Sequence, residues 1–449
     1  MRAVVVALGK IGLPIAAQIA RAGHQVVGCD IDERVVRLVN EARAPFPGEA
    51  GLEEALAEVV GARRLRAQAD TAAAIAEGPD LVIAVPPLAV DAHARPDWRT
   101  LDAVVRDIGE GLGRGGAAAG QVVISVETTL PVGTMRSRIS PAIAARSGLR
   151  PEEDFFCAFS PERVYSGRIF RDLRTYPKLV GGLTEEGEAR AIELYRSFLD
   201  TEVRAMGSAE AAELTKLAET TYRDVNIALA NEFARFADRA GVDIDRVIDA
   251  ANTQPFSHIH RPGVAVGGHC IPVYPRFYVH TDDKARLPIT AREINVAMPS
   301  YAVELLDDAM EGKLLGTRVL ILGVAYRGGV KETAFSGAFG LRDALVARGA
   351  EPLATDPMYD AAELRALGFE PWDGSTIDGA ILQADHEAYR SLGPADLPGV
   401  LAIVDGRRAF DAARFEAAGI PVRAIGGGAA AQRSRSSAVT TRSPARPSP

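Results

Sequence analysis

The stretch Val4–Asp32, VVVALGKIGLPIAAQIARAGHQVVGCDID, decides the reading of the fold. An apolar run leads into a turn with Gly9 and Gly12, then the helix-like LPIAAQIARAG, then QVVGCD, which ends on Asp30. Strand, tight turn, helix, strand and terminal acid are the parts of a dinucleotide-binding unit. Gly9 lets the backbone approach a diphosphate, and Gly12 lets the helix pack closely on the strand. The unbonded N–H groups of the helix N-terminus then face the phosphates. Asp30 sits where a carboxylate accepts from the ribose hydroxyls, and its charge repels a 2′-phosphate, which favours NAD over NADP. Ala7 occupies the place of the fingerprint's first glycine, and the expectation is that its φ stays negative. The alternative is an α/β turn that binds nothing.

Outward from this unit, DLVIAV, QVVISV and DFFCAF continue a series of apolar runs separated by amphipathic segments. A second series opens at GTRVLILGVAY and proceeds through EPLATDP, GAILQAD and VLAIVDG. Between them, residues 210–240 keep a 3.6-residue period, with Gly241 as the stop. The fold class is therefore α/β: two Rossmann-like doubly wound domains joined by a central long-helix segment. The expected division is 1–205, 206–312 and 313–426, followed by a Gly-, Ser-, Arg- and Pro-rich tail, 427–449, read as disordered. A hydrophobic share of 47% and a charged share of 24% are those of a soluble globular protein, and a net charge of −8 argues against broad nucleic-acid binding. No apolar run reaches a membrane span, and the N-terminus carries no signal-peptide pattern. Three cysteines in 449 residues fit a reducing cytoplasm better than a disulfide framework.

The segment Val264–Pro275, VAVGGHCIPVYP, sets Cys270 behind two glycines and a histidine. Two readings stand. Either the glycines leave room for a ligand to reach the sulfur, or the thiol is a packing residue of a glycine loop. A thiolate beside a bound NAD can add to an aldehyde, hold the thiohemiacetal through a second oxidation, and release an acid by hydrolysis of the thioester. Cys29 and Cys157 lie in strand-like runs and are expected in the core. His269 has no second His or Cys at ligand spacing, so no metal is expected.

GGHCIPVYP resembles the active-cysteine segment of the nucleotide-sugar 6-dehydrogenases, which oxidise UDP-hexoses to UDP-hexuronates with two NAD. LGKIGLPIA, NEARAPFPGEAGLEEAL, SVETTLPVGT, FSPERV, AELTKLAETTYRDVNIALANE and ILGVAYRGGVKET follow in that family's order. The histidine and Ile-Pro around Cys270 are more similar to the branch acting on UDP-N-acetylmannosamine or UDP-N-acetylglucosamine than to the UDP-glucose branch. The resemblance implies Cys270 as nucleophile and Lys216 as the ammonium that stabilises the oxyanion. It implies Glu162 with Thr129 in water activation, and Thr220 in oxyanion support. For NAD it implies Gly9, Ile11, Gly12, Asp30, Arg34, Pro86 and Thr129. For the UDP-sugar it implies Arg168, Lys216, His260 and Arg327, with His258 and Arg261 beside them as further diphosphate candidates. It also implies a homodimer or higher homo-oligomer built on the long helix, whose apolar residues lie on more than one side. Read from the residues alone, Lys216 also fits a solvated helix face, Glu162 and Thr129 fit cap or turn positions, and the arginines fit plain surface charge.

Four positions depart from the family pattern. Thr220 stands where the family has asparagine, Tyr274 where it has aspartate, Ala334 where it has arginine, and Ala265 where it has glycine. Tyr274, with an ordinary pKa of about 10, is no carboxylate base near neutral pH. Thioester hydrolysis then falls to Glu162 alone, or the reaction stops at the aldehyde, or the chain binds nucleotide sugars without turnover.

Overall fold

The structure, a computed structural model, describes residues 1–91, 93–115, 121–165 and 167–428. The chain divides into two compact units. The first comprises Met1–Glu219 with Arg276–Asp283; the second comprises Thr220–Pro275 and the chain from Lys284 onward. The middle segment expected as a domain of its own is thus shared between them. The tail from residue 429 lies outside the described residues. Gly426 and Gly428, by contrast, donate their N–H groups to Asp238 at 2.9 and 3.1 Å, so ordered backbone extends past the expected boundary.

The first unit is built on β1 (Arg2–Val6), β2 (Gln25–Cys29), β3 (Leu65–Gln68), β4 (Leu81–Ala84), the short hairpin β5 (Ala89–Val90) and β6 (Pro96–Asp97), then β7 (Val122–Val126), β8 (Phe155–Phe159), β9 (Lys178–Gly182) and β10 (Val203–Ala205). Eight of these form one sheet in the order β10-β9-β8-β7-β4-β1-β2-β3. Its pairs are parallel except β8 with β9, which is antiparallel. Buried runs such as Ala3–Val6 and Val122–Val126 have no polar alternation because helices cover both faces. The helix Gly12–Arg21 buries Leu13, Ile15, Ala16, Ala17, Ile19 and Ala20 against this sheet.

The second unit carries β11 (Arg318–Leu322), β12 (Glu351–Thr355), β13 (Glu370–Pro371), β14 (Gly379–Leu382), β15 (Ala402–Asp405) and β16 (Val422–Ala424), all parallel, in the order β13-β12-β11-β14-β15-β16. It repeats a device of the first unit. Asp356, just after β12, accepts the Val324 and Ala325 N–H groups of the turn after β11, at 2.8 and 3.1 Å.

The long helix runs Ala209–Ala240. In the second unit it is fixed to the helix Arg286–Ala309 by buried polar groups. Arg292 grips Asp224 through both guanidinium nitrogens, with Nε at 2.6 Å, and Asn231 donates to Asn295 at 2.8 Å. Among the described residues no helix is long and apolar enough to cross a membrane.

Candidate active site

The turn after β1 forms an open cradle. A side chain at Gly9 would meet nothing within 4 Å, whereas a Cβ at Gly12 would lie 2.0 Å from the Ala7 carbonyl oxygen. Gly12 is therefore obligatory for the strand–helix approach. Ala7 itself has φ +72°, so the expected negative value is corrected: the turn keeps the left-handed geometry of the missing glycine and an alanine bears the strain. Asp30 closes the turn as well as facing the site, since Oδ2 accepts the Leu8 N–H at 2.8 Å and Oδ1 the Asp32 N–H at 2.9 Å. Each oxygen keeps a further lone pair for a ribose hydroxyl. Ile11 opens the helix, Arg34 is exposed with its N–H on Asp32 at 2.8 Å, and the Pro86 carbonyl accepts the Thr128 hydroxyl. A cradle clear at Gly9, closed at Gly12 and bordered by an acid fits a dinucleotide diphosphate and its ribose.

Thr129 is buried just past β7. Glu162, three residues past β8, donates its N–H to the Glu127 carbonyl at 3.4 Å. The Lys216 ammonium donates to the Glu162 carbonyl and stands 3.8 Å from its Oε2. Lys216 is buried, which excludes a solvated helix face. Burial pushes the Glu162 carboxyl above its ordinary value, against the pull of Lys216 and Lys178. Glu213, three residues before Lys216, accepts the Gly133 and Met135 N–H groups at 2.5 and 2.9 Å and so ties the long helix to the loop beyond Thr129. Burial pushes Glu213 up to about 7. Arg168 reaches Asp172 at 3.2 Å and Tyr176 at 3.4 Å.

In the second unit Cys270 is exposed, while Cys29 and Cys157 are fully buried, as expected of core thiols. The glycine pair before Cys270 is explained by packing rather than by room for a ligand. A Cβ at Gly267 would meet Tyr326 Cβ at 2.6 Å and the Phe335 carbonyl oxygen at 2.9 Å, and Gly268 (φ +89°) lies against the Tyr326 ring. The Gly268 N–H donates to the Ala334 carbonyl at 2.8 Å, and His269 meets Glu332 at 2.9 Å. Ala265 fills the space beside Gly337. Tyr274 starts the helix Tyr274–Thr281, and its N–H donates to the Cys270 carbonyl at 2.9 Å. Asn226 holds the preceding loop by donating to the His258 carbonyl at 2.7 Å and accepting the His260 N–H at 2.9 Å. Burial lowers the His260 pKa, and its ring meets Tyr222 edge-on. Arg327 lies on Tyr326. Arg261 is committed to Asp245 and Asp249, so it is withdrawn as a diphosphate candidate. Thr220 is buried one turn beyond Lys216 on the long helix.

Sequence reasoning passed over Glu127, Lys178 and Tyr195, which meet in the core of the first unit. The available signal was an acid closing the apolar run QVVISV and a lysine opening KLVGG.

A dinucleotide cradle with its bordering acid, in a doubly wound first unit, marks the class as a nicotinamide-dependent oxidoreductase. The UDP-glucose/GDP-mannose dehydrogenase NAD-binding domain matches residues 1–199, and that family's central domain matches residues 210–297. The chain is 34% identical over 400 residues to the UDP-N-acetyl-D-mannosamine dehydrogenase of Pyrococcus horikoshii, covering 87% of this chain and 91% of that one. It is 31% identical to the NDP-N-acetyl-D-galactosaminuronic acid dehydrogenase of Ralstonia nicotianae, covering 92% and 97%. The solved UDP-D-ManNAc dehydrogenase from Pyrococcus horikoshii superposes with a TM-score of 0.82 at 32% identity, over 95% of this chain and 100% of that one. The chain belongs to the UDP-glucose/GDP-mannose dehydrogenase family and is an NAD-dependent nucleotide-sugar dehydrogenase.

Proposed function

We propose that this enzyme oxidises the C6 hydroxyl of a UDP-N-acetylhexosamine, with UDP-N-acetylmannosamine the first candidate, to the uronic acid through a Cys270 thiohemiacetal and thioester. The single observation that carries the covalent route is the exposure of Cys270 where the two other thiols are buried. The choice of sugar is supported by the names of the relatives. NAD, when bound, supplies the hydride acceptor for both oxidations, and Gly9, Ile11, Gly12, Asp30, Arg34, Pro86 and Thr129 would hold it. Lys216, desolvated and anchored on the Glu162 carbonyl, stabilises the oxyanion developing at C6. Glu162, its proton affinity raised by burial, takes the proton of the water that hydrolyses the thioester. Thr129 and Thr220 add hydrogen bonds, and Arg168, His260 and Arg327 meet the diphosphate.

Incubation with NAD and a panel of UDP-hexoses tests this by the NADH released per sugar. Two supports the acid. One supports aldehyde release, the outcome favoured by Tyr274 in place of an acid. Cys270→Ser should abolish the second equivalent; an unchanged count overturns the covalent route. Exposed apolar side chains on the second-unit part of the long helix, Tyr222, Leu229, Phe233 and Phe236, support a homodimer. Three cysteines in 449 residues, two of them in the core, support a cytoplasmic site of action.

A further inference from the structure

Behind Glu162 the first unit buries more charge than the proposed reaction uses. Lys178 donates to Glu127 Oε2 at 2.6 Å with both side chains nearly inaccessible, 9% and 1% exposed. The Tyr195 hydroxyl donates to Glu127 Oε1 at 2.6 Å and lies 2.8 Å from Ser125 Oγ. A buried ion pair is seldom worth more to stability than apolar residues of the same volume, so its presence points to another role. Glu127 also receives the Glu162 N–H on its main-chain carbonyl. Glu127, Lys178 and Glu162 line one cavity of about 20 Å³, together with Asp172, Tyr176 and Arg163 among others. That volume suits a single water with several polar partners. Glu162 Oε1 is buried and has no protein hydrogen-bond partner.

We propose that Glu127 and Lys178 are positioning residues for Glu162, joined to its Oε1 through one water molecule in the shared cavity, so that the carboxylate is held in place and its charge balanced from behind. The inference rests on the reading that Glu162 serves the hydrolytic step. The two members of the pair act on it with opposite sign: the Lys178 ammonium favours the ionised carboxylate and the Glu127 carboxylate disfavours it. The other charges around Glu162 are Lys216 from the long helix, Arg163 tied to Glu219 at 2.6 Å, and Asp172 tied to Arg168 at 3.2 Å. None of these residues is substituted in the variants below.

The test is an infrared titration of the full-length protein without substrate, the Glu162 band being assigned by its loss in Glu162→Gln. Lys178→Met should raise the protonation midpoint of Glu162 by about one pH unit or more, and Glu127→Gln should lower it by a similar amount. Lys178→Arg, which keeps the charge, and the neutral double variant Glu127→Gln/Lys178→Met should stay near the wild-type value. With UDP-N-acetyl-D-mannosamine and NAD, the pH limb of acid release should move in the same directions. A purely structural pair would leave the midpoint still or move both single variants the same way, and either result overturns the proposal. If Lys178→Met fails to fold, Glu127→Gln decides alone: a raised or unmoved midpoint overturns it. A single NADH per sugar would sink the two-step reading without touching the titration.

Discussion

At Ala7 a left-handed φ of +72° places a methyl group where glycine fits without strain. An alanine there costs roughly 1–2 kcal/mol, part of which a glycine returns as extra freedom in the unfolded chain. Ala7→Gly is expected to stabilise the protein by about 0.5 kcal/mol net, measured by denaturant unfolding with the m-value unchanged. Gly12→Ala is the opposite case. Its Cβ would sit 2.0 Å from the Ala7 carbonyl oxygen, so the backbone must move, and NAD affinity in calorimetry should fall at least about tenfold, or about 1.4 kcal/mol. The packing role of Gly12 was legible because it follows from local spacing. The roles of Gly267 and Gly268 were not. They are small because Tyr326 lies on them, a contact fixed only when the second sheet forms. Ala334 shows the same limit from the other side: the Cys270 loop uses its carbonyl, which any residue there would supply.

Among elements, the long helix carries the clearest consequence. Glu213 ties it to the loop beyond β7, and its carboxyl titrates near 7 instead of the ordinary 4.5. Between those values the folded protein binds more protons at this site than the unfolded chain does. The stability from this group is therefore full below about pH 4.5, falls as pH rises, and levels off above about 7, a loss of about 3 kcal/mol in all. Glu213→Gln should flatten that part of the stability–pH profile, which urea unfolding between pH 5 and pH 8 would show. The helix itself was legible from its period and its closing Gly241, ending at Ala240 as expected. Strand β9 shows what was not. KLVGG carries the same apolar signature as its parallel neighbours, yet β9 pairs antiparallel with β8, because strand direction is set by the connection rather than by the strand's own residues. The Glu127–Lys178 pair was hidden for a similar reason, its partners lying 51 residues apart, one just past β7 and the other opening β9, with β8 between those strands in the folded sheet.

For the molecule as a whole, the doubly wound architecture of both halves was legible in the two series of apolar runs, and the two sheets bear it out. The exposed row Tyr222, Leu229, Phe233 and Phe236 gives an expectation for assembly. Light scattering should show a dimer or a multiple of it, and Phe233→Glu/Phe236→Glu should shift the population to monomer. A monomeric wild type would remove the proposal. Between the units the polypeptide changes sides three times, at Glu219/Thr220, Pro275/Arg276 and Asp283/Lys284. A gene cut at any single codon would therefore leave at least one body missing a piece of itself. A single crossover at Glu219/Thr220 would carry the second half entire but take Arg276–Asp283 away from the first, so any fragment made for study has to respect all three junctions.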